Sequence, residues 1–88
     1  MPRYVIERNV PGITPEELNA AARRSMAALK EMPGVTWIRS YVSEAEGKIY
    51  CEYDAPNPES IREHAQRASL PVDKISLVAL EISPSMFQ

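Results

Sequence analysis

Between Arg3 and Arg8 the side chains alternate, with Tyr4 and Ile6 on one side and Val5 and Glu7 on the other. A period of two is the signature of a strand. "VPGIT" ends it, because Pro11 has no N–H for a ladder and Gly12 suits a turn. The spacing then changes. Leu18, Ala21, Ala22, Ser25, Met26 and Leu29 recur at helical intervals after "TPEEL", where Thr14 can cap, Pro15 fits the first turn and Glu17 completes a capping box. "MPGV" stops this helix. Val35 to Val42, "VTWIRSYV", is β-branched and aromatic and reads as a second strand, and "KIYCEY" as a third, joined to it through the hairpin-length "SEAEGK". Asn57 and Pro58 open a second helix, on which Ile61, His64, Ala65 and Ala68 share one face. "SLPVD" closes it, Ile75 to Ile82 forms a fourth strand, and "SPSMFQ" is a short tail.

The order βαββαβ predicts an α+β, ferredoxin-like domain over residues 1–88: an antiparallel four-stranded sheet, strand order 4-1-3-2, with both helices on one face. The helix-facing set is then Tyr4, Ile6, Ile38, Val42, Ile49 and Cys51. Val5, Glu7, Trp37, Arg39, Tyr41, Tyr50 and Glu52 fall on the bare face, and the facing of strand four stays open. A bare face with a tryptophan and two tyrosines is too apolar to leave wet. It is expected to pack on a second copy as a homodimeric α+β barrel with a partly polar interior.

Composition narrows the partners. The chain has 88 residues, 44% hydrophobic and 25% charged, with a net charge of −2 and its basic residues scattered. That offers no footprint for nucleic acid or an anionic membrane surface. No apolar run approaches a membrane span and the N-terminus has no apolar leader stretch, so the cytoplasm is the expected location. One cysteine excludes an internal disulfide framework.

Three segments, "MPRYVIERNVPGITPEEL", "GKIYCEYDAP" and "IREHAQRASLPVDKI", resemble a family of small bacterial proteins called a domain of unknown function, which includes a nickel-binding protein with a dimeric ferredoxin-like fold. The resemblance spans nearly the whole chain and implies that fold, a homodimer and nickel as the cofactor. Relatives carry two histidines four apart on the second helix. Here Ala65 and Ser69 stand at those places, with His64 one position earlier, so that histidine pair is not available.

Cys51 and His64, the only cysteine and histidine, supply a soft thiolate and an imidazole suited to nickel or zinc. Two ligands do not complete a site, and a carboxylate from Glu7, Glu52, Glu63 or a partner subunit would have to join. The competing reading makes Cys51 a small buried hydrophobe and His64 a hydrogen-bonded residue of the core, with no metal bound. On the bare face, Trp37, Arg39, Tyr41 and Tyr50 with Glu7 and Glu52 suggest a small-molecule site. There a glutamate enclosed by aromatic rings would act as the acid/base of a cofactor-free enzyme. The alternative is that Arg39 and a glutamate form interface ion pairs alone. A nucleophilic Cys–His pair lacks a nucleophile elbow and an orienting third group. The alanine-rich stripe "LNAAARRSMAAL" is expected to lie close against the sheet.

Overall fold

A computed structural model describes residues 1–88. It contains β1 (Arg3–Asn9), α1 (Pro15–Lys30), β2 (Thr36–Ser43), β3 (Lys48–Asp54), α2 (Pro58–Ala68), β4 (Lys74–Leu77) and a final 3₁₀ turn (Pro84–Phe87). All strand neighbours are antiparallel, in the order β2-β3-β1-β4. This is the expected ferredoxin-like α+β arrangement. No helix is long and apolar enough to cross a membrane.

Local chemistry sets the element ends. The Glu17 backbone N–H donates to Thr14 Oγ1 at 3.1 Å, and the Thr14 N–H donates to Glu17 Oε1 at 2.9 Å. That reciprocal pair satisfies donors which the first turn of α1 would leave free. Asn57 Oδ1 accepts from the Ser60 N–H at 2.9 Å to start α2. α2 ends at Ser69, whose left-handed φ of 55° lets the chain leave the helix axis.

The strands fix the core. Ile6 lies opposite Cys51 and Ile75, and Tyr4 opposite Tyr53 and Leu77. Ile75 and Leu77 are therefore the helix-facing residues of β4. Beneath the helices Tyr4, Ile6, Ile49, Cys51 and Tyr53 pack with Val35, Ala55 and Ile61. The expected face of α2 is buried at Ile61, His64, Ala65 and Ala68.

Three expectations are corrected. The fourth strand is Lys74–Leu77 rather than Ile75–Ile82. β4 runs antiparallel to β1, so extending it means running toward the N-terminus of β1. The last ladder bond there is from the Val78 N–H to the Arg3 carbonyl, and the Pro2 carbonyl is already taken by the Ala55 N–H at 3.1 Å. Pro2 has no N–H to offer in return. Secondly, the pairing of β2 with β3 skips Ile38: Trp37 lies opposite Tyr53, while Arg39 lies opposite Glu52. This bulge reverses the alternation. Trp37 thus shares the helix side with Tyr53, not the bare face with Arg39 and Tyr41, and Ile38 has no cross-strand partner. Thirdly, on α1 the buried positions are Ala21, Ser25 and Ala28, and Met26 is half exposed to solvent.

Candidate functional site

β1 carries its alternation one step past Ile6, which brings Arg8 onto the helix side, and β3 does the same for Tyr53 beyond Cys51. Arg8 is 2% exposed and His64 is fully buried; Ser25 of α1 is buried too. His64 Nε2 lies 3.1 Å from Ser25 Oγ and 3.4 Å from the Ser25 carbonyl oxygen. Ser25 Oγ lies 3.3 Å from the Tyr53 hydroxyl. The His64 and Tyr53 rings sit 5.2 Å apart at a tilt of 52°. The Arg8 guanidinium carbon stands 5.9 Å from the Tyr53 ring centre, and Nη1 donates to the Pro71 carbonyl at 2.8 Å. Two buried atoms have no hydrogen-bond partner: Arg8 Nη2 and His64 Nδ1.

The carbonyl of Ser25 can only accept, so its contact assigns the hydrogen to His64 Nε2 and leaves Nδ1 a bare lone pair. Burial holds the His64 pKa below its ordinary value; the Ser25 backbone contact opposes this and the Arg8 charge adds to it. Burial likewise raises the Tyr53 hydroxyl. The consequence for stability has a definite sign. Unfolded His64 takes up a proton near pH 6.5, whereas the folded residue resists until lower pH. Stability is therefore full above that value and falls as the solution is acidified through it, with a slope of up to about 1.4 kcal/mol per pH unit. Urea midpoints measured from about pH 8 to about pH 5.5 should show this slope, and His64→Gln should flatten it. Equal slopes in both proteins would refute the assignment.

Beside this cluster a pocket of 290 Å³ opens between α1 and the β2–β3 part of the sheet. Its walls are mostly apolar, with Leu18, Ala21 and Ala22 from α1 and Trp37, Ile49 and Cys51 from the sheet; Arg8 and Ser25 supply polar groups. The alanine stripe was expected to lie close against the sheet. Ala21 and Ala28 of the stripe are buried as expected, while Ala21 and Ala22 also border this pocket.

The candidate metal ligands lie on two sides of the sheet. Cys51, 5% exposed, and His64 are both on the helix side, but the imidazole is engaged by Ser25 and Tyr53 while Cys51 borders the pocket. Glu7 and Glu52 point to the bare face, where Lys48 Nζ lies 3.6 Å from Glu7 and Arg39 Nε 3.3 Å from Glu52. Nowhere do three His, Cys, Asp or Glu side chains come together. Glu63 is an exposed residue of α2, paired with Arg67 at 2.7 Å.

Of the candidate small-molecule residues, Arg39, Tyr41 and Tyr50 share the bare face and Trp37 does not. Tyr50 is turned aside, its hydroxyl donating to Glu46 at 2.6 Å, which raises its pKa. Without Trp37, aromatic walls do not enclose Glu7 or Glu52 within a protomer. Sequence reasoning missed Arg8, Ser25 and Tyr53 as polar members of the helix side. The signal was present, since Arg8 and Tyr53 follow Ile6 and Cys51 by two.

Residues 4–78 match the family model described as "Nickel responsive protein SCO4226-like". The crystal structure of SCO4226 from Streptomyces coelicolor A3(2) is similar, with a TM-score of 0.80 at 25% identity, covering 91% of this chain and 99% of that one. No protein with a curated description matches the chain.

Proposed function

Because the chain belongs to the SCO4226-like family of nickel responsive proteins, we propose that it is a nickel-binding homodimer of the cytoplasm, with the metal held between protomers on the bare face of the sheet. The family match over residues 4–78 carries this reading. A complete site does not fit inside one protomer, because the thiol and imidazole are separated from the carboxylates by the thickness of the sheet. The bare face supplies donors that a twin can double. Glu7 lies opposite Tyr50, so Glu52 is its diagonal neighbour on the same face. Two-fold symmetry would bring a second such pair to the first, and four carboxylates would offer oxygen ligands to a divalent ion. The ion pairs with Lys48 and Arg39 are solvent-accessible and cost little to exchange. Association itself is favoured by apolar side chains in open solvent: Tyr41 on this face, and Leu80, Ile82, Met86 and Phe87 in the tail.

Titration of untagged protein with nickel, with mass measured by light scattering, tests the reading. The expected result is a dimer binding about one ion, because both protomers complete one ligand set. Glu7→Gln and Glu52→Gln should each weaken binding by more than about tenfold, and Cys51→Ala should leave it unchanged. A monomer, or nickel affinity indifferent to both glutamates, would overturn it.

A further inference from the structure

We infer that the pocket between α1 and the sheet binds a small organic monoanion, a carboxylate with an apolar body, through Arg8. The observation that points there is a buried cation with no counter-charge. Arg8 is 2% exposed, yet none of the ion pairs in the protein involves it. Its guanidinium makes one hydrogen bond, to the Pro71 carbonyl, and lies over the Tyr53 ring, while Nη2 is left without an acceptor. A cation held in this way is costly, since its desolvation is repaid only by an opposite charge or full hydrogen bonding. A carboxylate supplies both, because a guanidinium presents paired donors at the spacing of two carboxylate oxygens.

The space next to Arg8 fits such a ligand. At 290 Å³ the pocket has the volume of roughly ten liquid water molecules, which sets the ligand at a similar number of heavy atoms. Its lining is apolar apart from a few groups, so the body of the ligand is hydrocarbon rather than sugar or phosphate. No second cation lines the pocket, which favours a single negative charge over a nucleotide or polyphosphate. Arg8 also borders a second pocket, of 370 Å³, with Ala20 in its wall; Ala22 belongs to the first pocket only. That difference allows the two to be told apart.

The inference does not rest on the nickel reading, and its test is run in metal-free buffer. Trp37 is the only tryptophan and lines the pocket, so its fluorescence reports occupancy. Octanoate and phenylacetate should change that emission and release heat on titration, binding more than about tenfold tighter than octanamide and phenylacetamide of the same shape. Arg8→Met should remove the preference for the acid. Ala22→Leu, which fills the pocket with Arg8 intact, should abolish binding, and Ala20→Leu should leave it. The inference fails if amide and acid bind equally, if Ala22→Leu binds as the parent does, or if millimolar acid produces neither signal.

Discussion

Truncating Ile6 to alanine should lower the stability of the fold by about 2–5 kcal/mol. Ile6 is fully buried, faces Cys51 and Ile75 across two ladders, and belongs to the cluster joining both βαβ halves. Shortening it removes dispersion contacts and leaves a void that the flanking strands cannot close without breaking register. In a chain of this size each kcal/mol moves the melting midpoint by about 4–8 °C, so the variant should melt on the order of 10–40 °C lower. Calorimetry checks this. A loss below about 1 kcal/mol would mean that the core is far more plastic than its packing indicates.

Arg8, two residues further along the same face, should respond in the opposite direction. Arg8→Met keeps a long unbranched side chain over the Tyr53 ring and removes the uncompensated charge. Replacing buried ionic groups by apolar residues of similar volume is often neutral or stabilising by about 1–4 kcal/mol. A gain of about 1–3 kcal/mol is expected here, reduced by loss of the bond to the carbonyl of Pro71, an exposed residue. Denaturant midpoints at pH 7.5 decide the matter. A clear loss of stability would show that the guanidinium is well compensated where it stands, and would remove the motive for a bound anion. A gain would make Arg8 a residue retained for function at a cost in stability.

Much of the fold was legible because its signals are local. The switch from period two at Tyr4–Glu7 to helical spacing at Leu18–Leu29, the Thr14–Glu17 box and the Asn57–Pro58 start depend on neighbours within a few residues. What could not be read depends on distant partners. The length of β4 is set by where β1 runs out, and the face of Trp37 by an unpaired residue in the β2–β3 ladder. The candidate site was less legible for a different reason. Arg8 reads as a polar boundary because arginine is seldom buried, yet alternation put it inside. Cys51 and His64 were rightly placed on the helix side, but Ser25 and Tyr53, which take up the imidazole, lie on other elements.

The skipped residue at Ile38 has an effect beyond re-aiming Trp37. β2 is an outermost strand, with no neighbour on its far flank, and eight residues of such backbone would be a template for endless strand addition between molecules. The kink interrupts the straight run of free amides and carbonyls, and Arg39 beside it is solvated. Fibril-like stacking along that border is thereby discouraged.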